Sequence, residues 1–330
     1  MTSFYGIAGR VLCVEASNAR AARVVGSFFR DFHIELLPAE AATSRAYHIR
    51  VHSEEQVPSP PASLEVFDVA YGKCYPDADG YYLAVEGSMI LVCSEQNEGI
   101  DLWIGASTAA RNSLALSNVF AYVLDAALRR CGLFQLHGSG VVAPGFSDGM
   151  LIVGESGSGK STLATLLTSR GWSYLTDDAL LLSWDDDEIR ARGMRTFFAA
   201  SEKTLAACGI SNLNPALGGP INSDPSKRRL EPTIAFPGLA RQSCIPRVIV
   251  FSSIVSAPQT TLVRLTQREA MAQFIRFNPW ASYDKVTARE HLGVLNQLAK
   301  QCRSFFIRAG QDILREPTRA EDMLMPLMQD

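Results

Sequence analysis

Eight residues near the middle of the chain, Gly154-Glu155-Ser156-Gly157-Ser158-Gly159-Lys160-Ser161, constrain the fold more than any other segment. They fit the pattern G-x-x-x-x-G-K-[ST] and stand between an apolar run, Met150 to Val153, and a helical segment that reaches about Arg170. A strand that feeds a glycine-rich turn and then a helix N-terminus is the geometry of a phosphate-binding loop on an α/β sheet. Gly154, Gly157 and Gly159 give the backbone angles closed to other residues, so that successive N–H groups can turn inward onto phosphate oxygens. The helix N-terminus adds partial positive charge. Lys160 can then reach the β- and γ-phosphates and the Ser161 hydroxyl can ligate Mg²⁺, with Thr162 as a helper. A dinucleotide fingerprint would need Gly or Ala where Thr162 stands, which disfavours that reading.

The rest of the chain suits such a sheet. Before residue 133, β-type runs (Ala8 to Glu15, Tyr47 to Val51, Tyr81 to Val85, Met89 to Cys93, Asp101 to Ile104) alternate with helical segments near Asn18 to Phe32 and Ala109 to Arg130. The second helix carries a broad apolar set and marks a domain junction, predicting a smaller α/β (α+β) domain over 1–132. From 133 to 330 the runs predict a second, sheet-centred α/β domain. Its β runs are Leu133 to Val142, Tyr174 to Thr176, Ala179 to Trp184, Arg229 to Ala235, Arg247 to Val255, Thr261 to Leu265 and Ser304 to Ile307. Its later helices are Gln267 to Phe277, Lys285 to Lys300 and Gln311 to Leu324. Val57 to Ser63 and Asn212 to Ser226, dense in Pro, Gly, Asn and Ser, read as loops.

Two further elements bear on chemistry. Tyr174-Leu175-Thr176 ends in Asp177-Asp178, two carboxylates at a strand end of which one can face a metal or an acceptor, because side chains alternate along extended backbone. His137 lies in a β run and is followed by Gly138 and Gly140, small residues that permit close approach of a backbone or a ligand.

Together, His137-Gly138, the loop Gly154 to Ser161 and the pair Asp177-Asp178, whose second aspartate lies 17 residues beyond Ser161, resemble the catalytic domain of the HPr kinase/phosphorylase family. The likeness covers residues 133 to 185 and extends loosely to 255. It implies a P-loop kinase domain with a mixed sheet that phosphorylates a serine of a peptide or small protein with ATP or GTP. It places Asp178 as general base, His137 near the transferred phosphate, Lys160 and Ser161 on nucleotide and Mg²⁺, and Asp178 with Ser161 as metal ligands. Residues 1–132 do not resemble that family's sugar-regulatory N-domain, and the glutamate-bearing signature and the phosphorolysis segment are missing. Tailoring kinases of lasso-peptide gene clusters resemble the whole chain better.

Charge and cysteine usage narrow the partners. A net charge of −3 gives no general pull toward nucleic acid or an anionic membrane. Seven scattered cysteines without a Cys-x-x-Cys spacing predict free thiols in a reducing compartment, and no run is long enough to span a bilayer, so a cytoplasmic protein is expected. A phosphate clamp can come from Lys227, Arg228, Arg229, Arg241 or Arg247. Phe197-Phe198 and Phe305-Phe306 read as core. A small-molecule alcohol kinase and a nucleotide-hydrolysing switch protein remain as alternative functions, and a homo-oligomer remains open.

Overall fold

The computed structural model describes residues 1–41, 46–54, 57–77, 80–93, 99–105, 113–211, 213–221, 224–277 and 284–329. The chain divides into two compact units, Met1–Leu133 with Trp280–His291, and Phe134–Pro279 with Leu292–Asp330. The expected second domain, 133–330, includes 280–291, which the structure groups with the first unit. The carboxylate of Asp284, 1 % exposed, explains the difference: it lies 2.5 Å from Nη1 of Arg130 and 3.9 Å from Nε of Arg129. A buried carboxylate is tolerated only when paired, and these partners belong to the first unit.

The first unit is built on a nine-stranded mixed sheet. Its order is β3 (Glu35–Leu37), β1 (Thr2–Ile7), β2 (Arg10–Ala16), β4 (Tyr47–Glu54), β9 (Gly99–Gly105), β8 (Ser88–Cys93), β7 (Gly80–Val85), β6 (Gly72–Asp77) and β5 (Phe67–Val69). The pairs β2–β4 and β4–β9 are parallel. Helix α1 (Ala19–Phe29) starts where the Asn18 side chain accepts from the N–H groups of Arg20 and Ala21, a standard N-cap. It buries Ala21, Val25 and Phe29, and the Phe29 ring meets Tyr5 edge-on at 4.8 Å. Helix α2 (Ser113–Arg130) packs on β4, β8 and β9. The expected first β run, Ala8 to Glu15, begins in the turn at Ala8 (φ 48) and Gly9 (φ 77) and continues as β2, the second arm of a hairpin whose first arm, β1, precedes it. Alanine seldom adopts a positive φ, so the local signal for this turn is weak.

In the second unit the central sheet runs β18 (Ser243–Cys244), β14 (Glu188–Gly193), β13 (Ala179–Asp185), β10 (Phe134–Val142), β11 (Gly149–Val153), β19 (Pro246–Ile254), β21 (Arg303–Ala309), β20 (Thr261–Leu265). Strand β12 (Ser173–Thr176) pairs with the far end of β10. The pairs β11–β19 and β19–β21 are parallel and the others antiparallel, so this sheet is mixed. All five residues of β11 are buried, as expected for a strand covered on both faces. Met150 and Ile152 point to one side, onto Leu163, Leu166 and Leu167 of α3 (Lys160–Ser169). Leu151 and Val153 point to the other, into a core shared with Phe274 and Leu298. The expected C-terminal helix is split into Asp312–Arg315 and Thr318–Leu324, because Pro317 lacks the N–H that would carry the first piece onward.

A third, three-stranded sheet, ordered β15 (Phe198–Ser201), β17 (Asp224–Leu230), β16 (Leu217–Ile221), overturns the expected loop at Asn212–Ser226. Residues 212, 222 and 223 lie outside the described residues. Strand β16 reads Leu-Gly-Gly-Pro-Ile, a composition that sheets tolerate only at an edge, and it occupies one. The expected run Arg229–Ala235 likewise ends at Leu230, and the short helix α5 (Pro232–Ala235) follows α4 (Glu202–Ala207) in the chain. Leu230, Phe198 and Ala216 are fully buried in one cluster here. Deleting residues 217–226 should therefore lower the melting temperature by roughly 5–15 °C, on the scale of losing one or two buried side chains. A melt within a degree of the intact protein would return the segment to the loops.

Beyond these, α6 (Gln267–Phe277) and α7 (Lys285–Gln301) complete the described helices that the site depends on. Among the described residues no helix is long and apolar enough to cross a membrane. The six cysteines whose side chains are described, Cys13, Cys74, Cys131, Cys208, Cys244 and Cys302, are free thiols.

Candidate functional site

The glycine-rich loop leaves the end of β11 and enters α3. A side chain at Gly154 would come within 2.7 Å of the Ser252 carbonyl oxygen on β19, so the loop starts where two backbones touch. Gly159 caps α3 in the left-handed region at φ 96, which side-chain-bearing residues rarely adopt. Ser158 Oγ lies 3.1 Å from Ser252 Oγ, pinning the loop to the neighbouring strand. Glu155, Ser156 and Gly157 form the exposed crest. Lys160 turns back beneath it, and its Nζ donates to the carbonyls of Gly154 at 2.9 Å and Glu155 at 2.8 Å. Lys160 is 5 % exposed, and burial pushes its pKa down to about 8, against the pull of Asp178 and with help from the like charge of Lys227.

Sheet register brings the second set of residues together. His137 on β10 sits opposite Ala179 on β13, and Gly138 N donates to the Asp178 carbonyl at 2.9 Å. His137 Nδ1 is consequently 3.2 Å from Asp178 Oδ1. The other Asp178 oxygen is 2.6 Å from Nη1 of Arg195, in the link between β14 and β15. Burial works against charge on Asp178, but Arg195, His137, Lys160 and Lys227 outweigh it and hold the carboxyl below its usual range. The His137 pKa is lowered, first by loss of solvent around the ring and then by Lys160 and Arg195, against Asp178.

Asp177 has a different setting. It is fully buried, its Oδ2 accepts from Ala199 N at 2.7 Å, and its carbonyl accepts from Ser139 Oγ at 2.6 Å and Ser161 Oγ at 3.4 Å. Burial raises its pKa, opposed by Arg195 and reinforced by Asp178. It ties β15 to the β12–β13 turn while Asp178 faces the cations. Thr162 points to Thr204 of α4 at 3.0 Å. The small residues after His137 serve packing, since a side chain at Gly140 would meet Leu180 and Leu175.

Of the five cations named from sequence, Lys227 has its charge felt at both Lys160 and Asp178, and it pairs with Asp224 at 3.2 Å. Arg228, on the other face of β17, donates to the Gly218 carbonyl. Arg229 pairs with Glu231 and lies 4.0 Å over the Phe197 ring. Arg247 stands at the start of β19, the end away from the loop, where it pairs with Glu188 and Asp148. Arg241 donates its backbone N–H to Tyr174, near the start of β12. Arg195 escaped sequence reasoning: it belongs to no motif, and only the path from β14 to β15 brings it to Asp178. Phe197, Phe198 and Phe305 are buried and Phe306 is partly buried against the core, with Phe197 also flanked by the guanidiniums of Arg195 and Arg229.

No family model matches the chain, and no curated protein matches it. Among solved structures it is distantly similar to the HPr(Ser) kinase/phosphatase from Coxiella burnetii, at 14 % identity and a TM-score of 0.25. That match covers 40 % of this chain and 77 % of the other. A likeness at that level carries nothing about chemistry, which must come from the side chains.

Proposed function

We propose that this chain is a P-loop kinase of the HPr-kinase type that transfers the γ-phosphate of ATP or GTP to a serine hydroxyl of a peptide or small protein. The observation that carries the reading is the Asp178 carboxylate, kept charged by Arg195 and His137 and felt electrostatically by the buried Lys160 of the loop. A charged, partly exposed carboxylate there can take the proton of an acceptor hydroxyl as well as ligate Mg²⁺. The Asp178 and His137 side chains are 21 % and 43 % exposed, which leaves room for an alcohol carried on a large acceptor.

In this reading the loop N–H groups and Lys160 hold the β- and γ-phosphates, and Asp178 takes the proton as the serine oxygen bonds to the γ-phosphorus. The bond from that phosphorus to the β,γ-bridging oxygen breaks, and the nucleoside diphosphate leaves with the electron pair. Arg195 and His137 orient Asp178, and Arg195 with Lys227 offsets charge on the transferred group. The Ser161 hydroxyl and Asp178 form an oxygen-only donor set of the kind Mg²⁺ takes, and the nearby Asp177 Oδ1 is buried without a partner among the described residues. When bound, the ion neutralises phosphate charge. The first unit then serves acceptor recognition or assembly, in a cytoplasmic protein.

The reading is tested with γ-labelled ATP and GTP, Mg²⁺ and a serine-containing peptide library, using an alanine-substituted library as control. Label should pass to the serine library alone. Nucleotide cleavage at one rate with and without acceptor would make the protein a hydrolase and remove the kinase reading.

A further inference from the structure

The two flanks of the loop differ in chemistry. Toward β10 and β13 stand His137, Asp178 and Arg195, all able to carry charge. Toward β19 and β21 lies a cleft of about 240 Å³ that takes in the loop crest, the end of β19 and the C-terminal half of α6. Its walls include Ile254, Gln273, Phe277 and Phe306, and an exposed ion pair of Glu155 with Arg276, 2.6 Å apart, stands at its edge.

A triphosphate lying on the loop has two ends. If the terminal phosphorus meets Asp178, the remainder of the molecule points away from it, toward β19. We propose that this cleft receives the base of the nucleoside triphosphate, stacked on Phe277 with its edge against the Gln273 amide. The inference rests on the kinase reading above and adds the subsite that distinguishes a nucleotide from bare polyphosphate.

Four observations support it. The cleft is smaller than the roughly 300–1,000 Å³ of pockets for drug-sized ligands, which suits one heterocycle. Ile254 is 62 % exposed at the strand end, beside Gly159, and offers an apolar surface to the cleft. Gln273 Oε1 is buried and has no hydrogen-bond partner among the described residues, a position that a donor on a ligand would satisfy. The Phe277 ring packs against the core, 6.2 Å from Phe251, and the Arg276 guanidinium lies 5.6 Å from its centroid, a cation–π contact that a stacked base would replace.

The test compares dissociation constants for ATP, GTP and inorganic tripolyphosphate, all with Mg²⁺, in the full-length protein and its Phe277→Leu, Phe277→Ala and Gln273→Ala variants. Wild type should bind at least one nucleotide more tightly than tripolyphosphate. Loss of the aromatic face should weaken that nucleotide by about 5- to 150-fold, the range of base stacking on an aromatic ring, with tripolyphosphate unchanged within twofold. Gln273→Ala should alter the ratio of ATP to GTP affinity. Phe277→Leu retains apolar volume, and an unchanged melting temperature in that variant separates stacking from folding. Nucleotide binding at wild-type strength in all three variants, with tripolyphosphate still bound, would overturn the cleft assignment and leave the loop reading standing. Equal losses for nucleotide and tripolyphosphate in Phe277→Leu would also overturn it, because the ring would then act through the loop. Wild-type protein that binds neither ligand would remove both.

Discussion

Replacing Lys160 with alanine is expected to abolish measurable phosphoryl transfer, a loss of at least about 10²–10³-fold, and to weaken nucleotide binding strongly. Lys160 is the one cation whose side chain lies inside the loop, and its Nζ already donates to the carbonyls of Gly154 and Glu155. The backbone N–H groups stay in place in the variant, so residual phosphate affinity reports what that nest contributes alone. Stability should not fall in proportion. Burying an ammonium is unfavourable, as its depressed pKa records, and removing it relieves that cost. Single-turnover transfer, nucleotide affinity and a thermal melt on the same preparation separate the effects, and undiminished transfer would sink the assignment of the loop.

Asp178→Asn is the second variant with a large expected effect. Asparagine keeps the shape but cannot take the acceptor proton, so transfer should fall roughly 10²–10⁴-fold while nucleotide affinity changes much less. If the carboxylate acts chiefly on Mg²⁺, raising the ion concentration should recover part of the rate. Asp177→Asn is the comparison. Its side chain is fully buried on the Ala199 N–H, so its cost should appear in the melting temperature rather than in the transfer step. Equal, small losses of rate in the two variants would reduce the pair to turn residues.

The strand, loop and helix around Gly154 to Ser161 were legible because their requirements are local: an apolar run, glycines at the turn and a helix start within twenty residues of sequence. His137 and Asp178 could each be named from short patterns. Their meeting at 3.2 Å could not, because it depends on β10 pairing with β13 in the register that sets His137 against Ala179. Nothing local marks Arg195, whose position follows from the path of the chain between two strands.

Elsewhere the local signal pointed the wrong way. Gly218, Gly219 and Pro220 carry turn composition, yet they lie in an edge strand, where a missing N–H and absent side chains are tolerated and Leu217 and Leu230 hold the hairpin to its cluster. The segment 280–291 has no composition that assigns it to either unit, and the buried pairing of Asp284 with Arg129 and Arg130 does so across more than 150 residues. Sequence by itself determined the glycine-rich strand–loop–helix, most of the helices and strands, and the residue types available for chemistry, since these follow from backbone geometry and short-range periodicity. Tertiary structure alone decided which carboxylate of the pair faces the cations, which cation reaches it and where the second unit opens a cleft. Those outcomes depend on strand register and burial, which sum contacts between residues far apart in the chain.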